Sequence, residues 1–341
     1  MAAEGFASLF PMHELAVMGL LEVLPRLRQL NRRLRETAAD VAARRPDVLV
    51  TIDSPGFNLR LLKQVGGLGI PRVQYVAPQV WAWREHRVKK FPGLWDRLLC
   101  LLPFEETFFA RHGLPATFVG HPVLESGADQ GNAARFRATH GLAADARIVV
   151  LMPGSRRSEA PRLLPVFGET LRRLPGVVAV VPAAAAVAGT VRDATARWPR
   201  PPVIVTDLQD KHDAYAAAAA ALTKSGTSTL ELALAGVPMA VTYRVNPITA
   251  MAARRLIRVP HVAMVNLLAG RLVVPELLQE ACTPDNLAAT LTTLLDDTAA
   301  AEAQRAAFRG IMASLSPAGR SPSMAAAAEV LAVLAGGQLR P

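Results

Sequence analysis

Two doubly wound parallel α/β sheets, one after the other, are the fold class that this sequence predicts, and three observations predict it. Short β-branched runs alternate with helix-length segments in both halves, and no antiparallel hairpin signature interrupts them. In the second half, two of those runs end in polar, glycine-containing turns that open into a helix, Pro153-Gly154-Ser155-Arg156 and Ser225-Gly226-Thr227-Ser228. A polar stretch, Ser126 to Asn132, separates the halves. The expected division is therefore 1–124, 125–320, and a tail over 321–341 that is free to return to the first domain.

Composition narrows the partners. At 341 residues and 51% hydrophobic content the chain can fill two cores. Cys100 and Cys282 are too few and too far apart for a disulfide framework or a zinc knuckle, so packed thiols in a reducing compartment are expected. A formal net charge of +10 points to anionic partners: nucleic acid, lipid headgroups or phosphorylated substrates. Nucleic acid is disfavoured, because aromatic content is only 5% and no nucleic-acid motif occurs. Met1 to Leu9 lacks the basic and apolar regions of a signal peptide. The longest uncharged run, Leu174 to Val191, carries Pro175, Gly176, Pro182 and Gly189 and reads as strand and loop, not as a membrane span.

Met12 to Glu36 is the first informative segment. Leu15, Val17, Met18, Leu20, Leu21, Val23, Leu24, Leu27 and Leu30 lie among Arg26, Arg28, Arg32, Arg33 and Arg35. That mixture suits a surface touching an acyl chain or membrane, with arginines for headgroups, or a core helix followed by a solvated basic one. Pro25 argues against one continuous helix. Next, Pro46 to Asn58 is an apolar strand that delivers Asp53 and Asn58 to the carboxyl end of a parallel sheet, where such folds bind ligands. Asp53 is then a candidate base, or a cap for the following helix. Val73 to Arg84 places Trp81 and Trp83 beside Arg84, Arg87, Lys89 and Lys90, giving flat apolar faces and cations for a sugar ring or an acyl chain with a phosphate, or two core tryptophans ahead of a basic helix. Leu98 to Leu102 is another strand, closed by Pro103-Phe104-Glu105, and Thr117 to Val123 reads as the last strand of this half, with His121 at the expected mouth between the domains.

The second half opens on Ile148 to Met152, a buried strand that turns sharply into a helix. Gly154 lets the backbone approach a ligand, first-turn N–H groups lack helical partners, and Ser155 and Arg156 add a hydroxyl and a planar cation. A phosphate or diphosphate is the expected guest. Val177–Val181, Val203–Val205 and an alanine-rich segment ending at Leu222 follow, and then the second turn, Ser225-Gly226-Thr227. Glu231, about one helical turn beyond Thr227, is placed to accept hydrogen bonds from a ribose diol or to complement the helix N-terminus. Together the two turns fit a nucleotide diphosphate better than either does alone.

Seven ordered motifs then carry a resemblance. Asp53-Ser54-Pro55-Gly56-Phe57-Asn58, Val80-Trp81-Ala82-Trp83-Arg84, Leu102-Pro103-Phe104-Glu105, Val119-Gly120-His121-Pro122, Met152-Pro153-Gly154-Ser155-Arg156, Ser225-Gly226-Thr227 through Glu231, and Asn266 to Arg271 with Pro275 to Gln279 resemble lipid-A-disaccharide synthases. The likeness runs from about Glu4 to the C-terminal region. It implies a glycosyltransferase of the GT-B type that joins UDP-2,3-diacylglucosamine to 2,3-diacylglucosamine 1-phosphate through a β-1,6 linkage and releases UDP. It further implies work at the cytoplasmic face of the inner membrane of a Gram-negative bacterium, on a lipid surface, with a homodimer among the allowed states. An α-linked donor giving a β-linked product requires inversion, and Asp53 is the candidate base for the acceptor hydroxyl. Gly154, Ser155, Arg156, Ser225, Gly226 and Thr227 are expected to hold the donor phosphates and Glu231 the ribose. Asn266, Glu276 and Gln279 join the donor site by resemblance alone. Asn58, Trp81, Trp83, Arg84, Arg87 and His121 are the expected acceptor contacts. No cofactor or metal is expected, because no Asp-x-Asp site is visible and the turns supply positive charge.

One departure accompanies the likeness. Family members begin with a strand and a Gly-Glu-x-Ser-Gly-Asp loop, whereas Met1 to Phe6 resembles a point roughly forty residues into that pattern. The expectation is an incomplete first sheet with an uncovered edge, or a start assigned too late. Two other readings stay open at this point: a GT-B transferase with another acceptor, such as a cell-wall precursor, and an inactive UDP-binding remnant.

Overall fold

The structure, a computed structural model, describes residues 5–15, 24–156, 159–246, 251 and 259–337. By contacts the chain divides into two compact units, 1–121 with 317–341, and 122–316.

The first unit is built on four parallel strands, β1 (Leu49–Ile52), β2 (Arg72–Tyr75), β3 (Arg97–Cys100) and β4 (Ala116–Phe118), in the order β1-β2-β3-β4. Parallel strands need helical crossovers, and helices duly cover both faces. Leu62, Trp95, Leu98, Cys100 and Phe109 form one core layer beneath the crossovers, which include α2 (Pro55–Gln64), α3 (Val80–Trp83) and α4 (Pro103–Ala110). On the other face Val73, Leu99 and Val119 receive Ala325, Ala326, Val330 and Val333 of the C-terminal helix α13 (Pro322–Gly337). The helix α1 (Leu27–Arg44) packs Leu34 and Val41 against Leu61, Val65 and Ile70.

Two sequence expectations change here, one for Arg33 and one for the Thr117–Val123 strand. Of the Met12–Glu36 segment, residues 16–23 lie outside the described residues. The flanks form 3-10 turns at Met12–Glu14 and Leu24–Arg26 before α1 begins at Leu27. Among the arginines assigned to headgroups, Arg33 is instead committed: its guanidinium grips both oxygens of Glu14 at 2.7 and 3.0 Å and lies over the Phe10 ring. Arg26, Arg28, Arg32 and Arg35 are exposed. The strand expected over Thr117–Val123 ends at Phe118, because Gly120 at φ +81° breaks the extended run.

In the second unit six parallel strands, β5 (Arg147–Met152), β6 (Val177–Pro182), β7 (Val203–Val205), β8 (Ala218–Lys224), β9 (Met239–Tyr243) and β10 (Glu276–Leu278), run in the order β10-β9-β8-β5-β6-β7. The chain winds outward from β5 through β6 to β7, then crosses back to place β8 on the opposite side of β5. That reversal is the switch point, where the crossovers on either side part and leave a crevice at the strands' carboxyl ends. Around the sheet lie α5 (Ala133–Thr139), α6 (Ala160–Arg172), α7 (Ala188–Thr195), α8 (Leu208–Ala217), α9 (Ser228–Leu234), α10 (Met264–Ala269), α11 (Pro284–Asp296) and α12 (Thr298–Ser314). The alanine-rich segment holds a surprise, since α8 passes into β8 between Ala217 and Ala218 with no loop. Alanine favours helix, but Ala220, Ala221 and Leu222 are fully buried in the sheet, and tertiary burial overrides the local preference.

Cys100 and Cys282 are buried, free thiols, and burial raises both above the usual thiol range. Among the described residues no helix is long and apolar enough to cross a membrane.

Candidate active site

The β5 and β8 carboxyl ends frame a cavity of about 400 Å³ at the switch point. Gly154, Ser155 and Arg156 line it from one side, Lys224 through Ser228 from the other, and Asp207 and Lys211 come from the start of α8. Six of the expected donor residues are thus brought together: Gly154, Ser155, Arg156, Ser225, Gly226 and Thr227. The backbone conformation calls for glycine at 154, and the space beside it is tight. Its φ is +104°, and a Cβ there would stand 2.9 Å from Glu159 Oε2. One detail of the first turn differs from expectation. The helix α6 starts only at Ala160, so Gly154 to Arg156 form a loop ahead of the helix rather than its first turn.

Charges around the cavity are paired in advance. Glu159 Oε1 accepts from Arg156 Nη1 at 2.8 Å and from Lys224 Nζ at 2.9 Å. Burial opposes that carboxylate's charge, yet the two cations hold it below the usual carboxylate range. Deeper in, Glu231 Oε2 accepts from Lys211 Nζ and from the Tyr215 hydroxyl, both at 3.1 Å. Burial first, and then Glu231, push the Tyr215 hydroxyl well above its ordinary range. Glu231 is not among the residues lining the cavity, which it reaches through Lys211.

Three residues expected at the donor site by resemblance make internal hydrogen bonds beside it. The Asn266 side chain is fully buried and every one of its hydrogen-bonding positions is filled within the protein. It donates to Val274 O and Glu276 Oε1 at 2.9 and 2.8 Å, and it accepts from the Val273 and Val274 amides at 2.8 and 2.9 Å. Glu276 also accepts from the amides of Val262 and Ala263. The Gln279 amide pairs with the backbone of Val245 at 3.2 Å. These contacts shape the wall behind the cavity, and the link is direct, since Ser225 Oγ donates to Val262 O at 2.6 Å.

In the first unit, Asp53 stands exposed at the carboxyl end of β1, in strained backbone. Asp53 and Ser54 have φ of +50° and +41°, and Val76 at the end of β2 has +73°, a region β-branched residues avoid. Two buried amides hold this geometry. Asn58 donates to the carbonyls of Ile52 and Asp53 at 2.9 and 2.7 Å, and Gln74 donates to those of Tyr75 and Val76 while accepting from Thr51 Oγ1. Asn58, expected among the acceptor contacts, therefore supports the Asp53 loop. Trp81 is likewise anchored, donating to the buried Glu105 at 3.0 Å and meeting Phe104 edge to face. Trp83 is 40% exposed, with the Arg84 guanidinium 3.9 Å from its ring centroid, and Arg87 is exposed. His121 is buried, which lowers its pKa to about 4, so at neutral pH it offers a hydrogen bond and no charge.

Sequence reasoning passed over Lys224, Lys211, Glu159 and Gln74. Lys224 sits directly before the second turn and Glu159 a few residues after the first, and both were legible as charges bracketing glycine turns. Gln74 announces itself only as a polar residue inside an apolar strand, and Lys211 gives no signal at all.

Two parallel α/β units, the second with a cation-lined cavity at its switch point, define the GT-B fold class. The fold is shared with the calicheamicin glycosyltransferase CalG4, at TM-score 0.58 and 18% identity over 95% of this chain and 83% of that one. It is shared equally with Phytolacca americana UGT2, at TM-score 0.59 and 15% identity over 90% and 81%. The family itself is set by sequence: the lipid-A-disaccharide synthetase family model matches residues 1–330. Lipid-A-disaccharide synthase of Granulibacter bethesdensis is 64% identical over 345 residues, covering 97% of this chain and 88% of the relative. That of Gluconobacter oxydans is 64% identical over 338 residues, covering 98% and 81%. The chain belongs to the lipid-A-disaccharide synthase family, and it is a glycosyltransferase of lipid A biosynthesis.

Proposed function

We propose that the protein transfers 2,3-diacylglucosamine from its UDP donor to the 6-hydroxyl of 2,3-diacylglucosamine 1-phosphate, with inversion, releasing UDP. The observation that carries this reading is the cavity at the ends of β5 and β8, cation-lined and built on two glycine turns, in a chain of this family. A leaving diphosphate develops negative charge as the glycosidic bond breaks, and preorganised donors aimed at that charge lower the barrier. Ser155, Arg156 and the Thr227 turn supply those donors, while Asp53 takes the proton from the acceptor hydroxyl. Asn58 and Gln74 keep Asp53 presented by filling the carbonyls around it. Trp83, Arg84 and Arg87 combine an apolar plane with cations and suit an acylated sugar phosphate. The exposed arginines of α1 and the exposed Phe6, Leu9 and Met12 support peripheral contact with an anionic inner-membrane surface, and a dimer is compatible with that placement.

The test is product formation from the diacyl UDP-sugar offered with either the acyl sugar phosphate or a lipid-linked cell-wall precursor. Disaccharide 1-phosphate from the first mixture alone supports the assignment. Turnover of the cell-wall acceptor moves the protein to another transferase class, and UDP binding without any product leaves it a remnant.

A further inference from the structure

Glu159 is an unusual neighbour for a diphosphate. One of its oxygens, Oε1, serves both Arg156 and Lys224, while the other, Oε2, is buried beside the Gly154 backbone with no hydrogen-bond partner among the described residues. Both Glu159 and Lys224 have side chains only 15% exposed, and the Lys224 ammonium also faces the Tyr243 ring. One carboxylate oxygen divided between two cations is poorly placed as a purely structural tie, because each cation keeps donor capacity that a ligand with more oxygens would fill. The same two cations line the cavity in which the donor diphosphate is read to sit. A phosphate there offers several oxygens where Glu159 offers one.

We propose that Glu159 is a resident counter-anion, which pairs with Arg156 and Lys224 while the cavity is empty and yields them to the incoming diphosphate. Lys224 is thereby a second cationic ligand of that diphosphate, alongside Arg156. The proposal rests on the donor-site reading above. The exchange keeps both cations paired at every stage, so an empty site carries no bare positive cluster and UDP leaves against a waiting replacement. Its cost is that Glu159 competes with the donor.

That competition fixes the sign of the test. Binding of UDP and of inorganic pyrophosphate is measured by titration calorimetry on wild type, Glu159→Gln, Lys224→Met and, as a control for net charge, Glu169→Gln on the exposed face of α6. Removing the competing charge tightens both ligands in Glu159→Gln by roughly tenfold, a direction that structural damage does not produce. Lys224→Met weakens both by roughly tenfold or more, with a shallower salt dependence. Glu169→Gln stays at the wild-type value. Equal or weaker binding by a folded Glu159→Gln protein overturns the proposal, as does wild-type affinity in Lys224→Met, and neither touches the donor-site reading. Wild-type protein that binds neither UDP nor pyrophosphate overturns the reading and the proposal together.

Discussion

Asn266 shows how much one side chain can hold. It bridges the Val273–Val274 backbone to Glu276, and Glu276 in turn bears the Val262–Ala263 amides that stand against Ser225. Truncation leaves buried amides and a carbonyl unpaired, so Asn266→Ala should cost about 2 to 4 kcal/mol in urea unfolding. His121 and Glu105 predict a pH signature for the first unit. Burial holds His121 at about 4, so between there and its ordinary value near 6.5 the unfolded chain binds a proton that the folded one does not. Stability from His121 is therefore lost as pH falls through that window. Burial also pushes the Glu105 carboxyl up to about 7, against hydrogen bonds from Trp81, Leu102 and Leu101. There the folded state binds the extra proton, and stability is lost as pH rises from the ordinary glutamate value toward 7. The two slopes oppose each other over about pH 5 to 6.5. In His121→Asn only the second survives, so urea midpoints should fall with rising pH across that range more steeply than in wild type; a rise would contradict the Glu105 assignment, and an unchanged slope the His121 one.

At the level of elements, the seam between α5 and α8 is tight enough to test. Asp213, held at about 2 chiefly by its hydrogen bonds with Arg135 and also by the Asn132 amide, joins the two helices. Beside it, a Cβ on Gly131 would sit 1.9 Å from the His212 carbonyl oxygen. Backbone cannot yield as a side chain can, so Gly131→Ala should destabilise the protein by about 3 kcal/mol or more, read from its thermal or urea midpoint. Legibility in the sequence followed the same physics. Strands such as Ile148–Met152 and Val177–Val181 were plain because both faces are buried and their residues are β-branched, and the two glycine turns were plain because their chemistry is local. The loop-free change from helix to strand at Ala217–Ala218 was not, since an alanine run encodes neither period. β10 was missed as well, being only Glu276–Leu278 and flanked by proline. Asn266, Glu276, Gln279 and Asn58 were legible as residues that matter, but their hydrogen bonds to the backbone were not: a polar side chain in a motif reads the same whether it faces a ligand or a backbone.

Across the whole molecule, a formal charge of +10 and the exposed Arg28, Arg32 and Arg35 predict salt-sensitive attachment to anionic vesicles. Changing those three to glutamine should lower vesicle co-sedimentation at low salt by roughly tenfold or more, about 1 kcal/mol per arginine, while leaving UDP affinity unchanged. In the proposed reaction the diphosphate falls to the second unit and the base to the first. Turnover and UDP affinity measured side by side on Asp53→Asn test that division most directly. A fall in kcat of about 10²- to 10⁴-fold with UDP affinity unaltered is the predicted result. Disaccharide made by Asp53→Asn at the wild-type rate would contradict it.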